Sequence, residues 1–168
     1  MTTSIISIPD YFGIHADSPD VTVEVMAAAM DFLPLVNDLL QVCIDGGVVL
    51  EINPRTKTYI AGETYGGFRP QSCPQGAPAS SHKVGRGVDV YDPENELDGF
   101  LMLHQKLLKD RALFIEAPES TPRWTHITNR PPNPGKTDYN PRARKQRPTN
   151  TKNTTLPPCG NHRTRLTR

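Results

Sequence analysis

Apolar positions along the first third of the chain recur every three or four residues. Val25, Met26, Ala29, Phe32, Val36, Leu39, Leu40 and Cys43 follow this spacing, which puts them on one face of a helix over roughly 20–45. Pro34 falls inside that stretch, where it either kinks one helix or sits in the first turn of a second. Gly46 and Gly47 end the pattern. A second set, Leu97, Phe100, Leu101, His104, Leu107 and Leu108, predicts a helix near 94–110, started by the turn-forming Asp92-Pro93-Glu94-Asn95.

Between and after these helices the pattern shortens to strands. Residues 48–52 are a short apolar, β-branched strand candidate and 58–61 a second candidate, 87–91 is a core strand, and 112–115 and 124–127 are two more candidates. Residues 1–18 show no periodicity and are expected to be an irregular lead-in. Residues 62–87 are rich in Gly, Pro and Ser and predict a long loop inside the body, the kind of segment that usually carries function. These elements predict an α+β domain over 19–130. Its small, mainly antiparallel sheet would be packed by helices, with a cleft over the sheet formed by the 62–89 loop and the strand at 124–127.

Composition changes this picture mainly at the C-terminus. Seven of the 17 prolines fall in residues 131–168, which also hold nine Lys/Arg against one acid, Asp138. That tail has almost no large apolar side chains and cannot offset its chain entropy by burial, so disorder is expected there. The tail admits three readings: a binder of anionic polymer, a solvated appendage, or the product of a shifted reading frame. The body keeps ten Lys/Arg and seventeen Asp/Glu, and this acidic balance argues against nucleic acid as the partner of the main domain. No apolar run approaches the roughly 20 residues of a membrane span, and MTTSIISIPDYFG lacks the basic and apolar regions of a signal peptide. Synthesis in the cytoplasm is therefore expected, with any target beyond the membrane reached through another agent. Cys43, Cys73 and Cys159 are odd in number and widely spaced, which suggests reduced thiols rather than a disulfide framework or a cysteine zinc site.

The chemistry concentrates in Ser80-Ser81-His82-Lys83-Val84-Gly85-Arg86-Gly87-Val88-Asp89. His82 and Asp89 lie seven residues apart with two glycines between them, so the loop can double back and bring an imidazole and a carboxylate to one ion. That donor pair suits zinc with a third ligand and a water. Of the remaining histidines, His126 in Thr121-Pro122-Arg123-Trp124-Thr125-His126 is the best third ligand, because strand alternation places Trp124 on its face to wall the site. His104 is expected at a core or boundary position, and His15 and His162 in solvent. Asp92 is expected to cap the following helix, and Cys73 to be a plain loop thiol. Tyr65 and Tyr91 either line the cleft or pack.

Ser80-x-His82-x-x-Gly85-x-Gly87-x-Asp89 resembles the S-x-H-x-x-G-x-A-x-D signature of the zinc D-alanyl-D-alanine carboxypeptidase/dipeptidase family. That family includes the L-alanyl-D-glutamate endopeptidases found as phage endolysins. Trp124-Thr125-His126 is similar to its second signature, and Gly66-Gly67-Phe68-Arg69 to the glycine-flanked arginine that precedes the first; together the likeness spans about 20–128. The resemblance implies a Zn2+ peptidase acting on peptidoglycan stem peptides, released by a separate membrane pore or carried in a virion. It implies that Arg69 faces the substrate carbonyl or terminal carboxylate, and that Ser80 orients the loop or the substrate.

One position departs from the pattern: many members carry an acidic general base three residues before the last histidine, and Arg123 stands there in this chain. Glu116, at the end of a strand, and Glu119, in a Pro-flanked loop, are the replacements considered. Glu116 is favoured, because strand ends aim side chains more firmly. The competing reading is a non-catalytic module that keeps zinc as a structural ion and grips a wall peptide or partner.

Overall fold

The computed structural model describes residues 4–131 and the strand residues Asp138 and Tyr139. The first helix, α1, runs Ile8–Phe12 and is followed by a 3-10 turn at Gly13–His15. The long helix α2 spans Val23–Asp45. A second 3-10 turn, Ser81–Val84, leads into β1, Gly87–Tyr91. Then come α3, Glu96–Leu103, and α4, Gln105–Asp110. Strand β2, Phe114–Glu116, is joined to β3, Trp124–Thr128, through a third turn at Pro118–Ser120. Strand β4 is Asp138–Tyr139. The sheet order is β1-β3-β2-β4. β1, β3 and β2 pair antiparallel, and β4 adds a parallel edge to β2. The fold is therefore α+β, as the pattern predicts.

Register gives the sheet two different faces. Val88 pairs with Ile127, and Ile127 with Ile115, so these side chains share the face that packs into the core with Val90. Against it lies the buried stripe of α2: Ala29, Phe32, Leu33, Val36, Leu39, Leu40 and Cys43. Leu97, Leu101, Leu108 and Leu113 close the core, each fully buried and each stabilising by ~1.5–3 kcal/mol. The alternate residues, Asp89 and His126, fall on the opposite face.

Several expectations are corrected. The lead-in is part of the core: Ser7 and Asp10 form a reciprocal capping box that starts α1, and Tyr11 and Phe12 are buried. α2 continues through Pro34 as one helix. The carbonyl deprived of its usual donor belongs to Met30, a residue exposed enough for water to serve it. At 23 residues, α2 is also long and apolar enough to cross a membrane by length and composition, contrary to the reading that no such stretch exists. Residues 48–52 form no strand: Val49 and Ile52 are exposed, because the outer edge of β1 is occupied by the segment after them. In that segment Tyr59 O accepts from Tyr91 N, Ala61 N donates to Asp89 O, and Gly66 O accepts from Asp89 N. Residues 58–61 contribute a single bridge, Ile60 to Val90, since the Asn53 amide takes the carbonyls of Ile60 and Gly62. The helix expected over 94–110 breaks at His104, whose ring packs on Phe100 in an exposed position rather than in the core. The tail expectation, with Cys159 and His162, lies outside the described residues, apart from the two that form β4.

Candidate metal centre

His82, Asp89 and His126 come together on the sheet face opposite the core, all three buried. Each is placed by a different local device. Asp89 is central in β1 and faces His126 of β3 across the ladder. His82 is held in the Ser81–Val84 turn, which ends at Gly85 in the left-handed region (φ 71°). A side chain at Gly85 would be strained by that φ and would also meet Val25 O of α2 at 2.5 Å. This glycine therefore lets the turn double back and lie directly on the long helix.

The donor atoms converge. His82 Nε2 lies 3.2 Å from His126 Nδ1 and 3.2 Å from Asp89 Oδ1, and Asp89 Oδ1 lies 2.7 Å from His126 Nδ1. Ligands at ~2.0–2.2 Å around a tetrahedral ion sit about 3.3 Å apart. Two imidazoles and one carboxylate at these separations can hold a metal ion, and the donor set fits zinc with further positions left for water or substrate. The outward nitrogens are engaged as well: His82 Nδ1 lies 2.6 Å from Gly67 O, and His126 Nε2 lies 3.3 Å from Ser81 Oγ. A carbonyl only accepts, so His82 donates its Nδ1 proton to Gly67 O, which leaves Nε2 as the atom that would turn a lone pair to a bound ion.

The electrostatics favour an ionised carboxylate between the rings. Burial pushes the Asp89 carboxyl up, but the charge of His82 and the hydrogen bonds of both histidines outweigh it and hold Asp89 far below the usual carboxylate range. Burial lowers His82. For His126 burial also lowers, but the hydrogen bond and charge of Asp89, with a contribution from Glu116, raise it overall.

Arg69 joins the site from below. Its Nη2 donates to Asp89 Oδ2 at 2.5 Å and its Nε to Tyr65 O at 2.5 Å, while Nη1 donates to no described residue. Arg69 Nη1 and Ser80 Oγ flank Gly76, each within 3.4 Å of where a Cβ would stand there. The guanidinium and hydroxyl expected to touch substrate are thus neighbours. Trp124 pairs with Tyr91 on the ligand face, one step along from the Asp89–His126 pair, and both are half-buried. Continuing the β2–β3 register by one residue sets Glu116 opposite His126, giving the row Asp89, His126, Glu116 across three strands. Glu119 is exposed and its charge acts on Asp98, on the core side of the sheet. Arg123 is exposed in a left-handed turn (φ 73°).

Asp92 caps α3, accepting from the backbone N–H of Leu97 and Asp98. Cys73 is a buried free thiol. His15 is half-buried and stacks on Tyr65 rather than being solvated. Two participants escaped the sequence reading. One is Lys83, buried beside His82, whose Nζ donates to Gln71 O and Cys73 O and so ties the 70–80 loop to the turn. The other is Ser81, whose only signal is adjacency to His82. Comparison with protein-family models, curated proteins and solved structures finds no match for this chain.

Proposed function

We infer that the protein is a zinc-dependent peptidase that hydrolyses a peptide bond in bacterial peptidoglycan stem peptides, in phage lysis or wall remodelling. The observation that carries this reading is the buried convergence of His82 Nε2, Asp89 Oδ1 and His126 Nδ1 within 3.2 Å, with Glu116 in the same cross-strand row. The wall peptide as substrate rests on the motif Ser80-x-His82-x-x-Gly85-x-Gly87-x-Asp89 and its likeness to the zinc carboxypeptidases and endopeptidases.

His82, Asp89 and His126 would hold the ion, which would supply Lewis acidity at this face. Glu116 accepts a proton from the attacking water and returns it to the departing amine. Arg69, already oriented by Asp89 and Tyr65, presents its Nη1 to the substrate carbonyl or carboxylate beside the Ser80 hydroxyl. Trp124 and Tyr91 wall the ligand face and limit water.

The test is mass-spectrometric detection of fragments released from purified peptidoglycan. The wild type is expected to cleave; Glu116→Gln should retain zinc and lose turnover by at least ~100-fold. Zinc-loaded wild type that binds wall peptide and cleaves nothing would make the centre an anchor in a binding module.

A further inference from the structure

We propose that Ser81 is a positioning residue of the metal centre, seating the His126 imidazole with Nδ1 toward the ion, and that Gly87 is the socket that makes room for it. The proposal rests on the metal-centre reading above. With Nδ1 as the ligand atom, His126 must carry its proton on Nε2 and needs an acceptor there. Ser81 Oγ, 3.3 Å away, is that acceptor among the described residues. For His82 the same part is played by a backbone carbonyl, which no side-chain change can remove.

The hydroxyl is not placed by chance. Ser81 opens the 3-10 turn, and its own carbonyl accepts from Gly85 N and Arg86 N, which fixes where its side chain starts. The remaining constraint is Gly87. This glycine lies in β1 without a positive φ, so the backbone there does not require glycine. Space does: a Cβ on Gly87 would stand 2.2 Å from Ser81 Oγ, 2.8 Å from Ser81 Cβ and 3.2 Å from His126 Cε1. The signature that this segment resembles has alanine at that position. Here the Ser81 hydroxyl fills the volume of the missing methyl and lies against the ring edge. Ser81 and Gly87 therefore act as one unit, and a side chain at Gly87 must evict the hydroxyl.

Zinc affinity, measured by competition with a chromophoric chelator on the full chain, tests this directly. Ser81→Ala should weaken zinc binding by about 10-fold or more, the usual effect of losing such a partner, with the thermal midpoint close to wild type. Gly87→Ala should weaken it at least as much and also lower the midpoint. Adding Ser81→Gly to Gly87→Ala removes the clash and should recover stability without recovering affinity. Wild-type affinity in Ser81→Ala, or in the double variant, would overturn the positioning role while leaving the metal centre standing. No zinc binding by the wild-type protein would overturn the centre itself.

Discussion

Asp98 lies in α3 with its residue surface 1% exposed, and neither carboxyl oxygen has a hydrogen-bond partner among the described residues. Burial, opposed in part by the nearby Thr125 hydroxyl, whose donated hydrogen bond goes to Asp92, and reinforced by the charges of Asp92 and Glu119, pushes its pKa from the ordinary 3.8 up to about 7. The folded protein thus keeps a proton that the unfolded chain gives up. Stability from this group falls as pH rises from about 4 to about 7, and stays at its lower value above that. The full difference corresponds to roughly 4 kcal/mol at ~1.4 kcal/mol for each tenfold change. Glu96 and Gly99 beside it are exposed, and solvent there screens part of the effect, leaving about 2–4 kcal/mol. Asp98→Asn replaces a charge by an amide of the same shape, which is far cheaper to bury. Urea unfolding followed by circular dichroism should show the variant more stable than wild type by that amount at pH 8, with the difference shrinking to a few tenths of a kcal/mol at or below about pH 4. Equal stability at pH 8, or a pH slope unchanged by the substitution, would refute the reasoning.

Further predictions concern the supports of the site. Tyr11→Phe removes the buried hydroxyl that donates to Gly87 O at 3.1 Å and should cost about 1–2 kcal/mol in chemical unfolding, because the carbonyl loses its partner. Lys83→Met cuts both ties from the turn to Gln71 O and Cys73 O, so limited proteolysis should nick the 70–80 loop several-fold faster than in wild type. Equal nicking would show that the loop is held by other contacts.

What could be read from the sequence was what repeats or what sits in a dense motif. The α2 stripe and the strands at 87–91 and 124–127, the second of which runs one residue further in the fold, were legible because periodicity reports directly which side chains are buried. The three candidate ligands were legible because the His82–Asp89 loop compresses two donors and two glycines into eight residues. The 48–52 run failed because β-branching describes a residue's preference and says nothing about whether a sheet edge is free; the segment through Tyr59 and Ala61 had taken it. The lead-in failed because α1 is five residues long, too short to show a period, although the Ser7–Asp10 capping box was there to be read. Ser81 was hidden by Ser80, which holds the motif position, and only the ladder that brings His126 beside Asp89 shows which hydroxyl meets the ring.

The central claim is the metal centre of His82, Asp89 and His126. Its most direct test is the metal content of purified full-length protein, wild type beside His82→Ala. About one zinc per chain is expected in the wild type, as for a single three-ligand site, and none in the variant. Wild-type protein that takes up no zinc, or a His82→Ala variant that holds it equally well, would contradict the assignment.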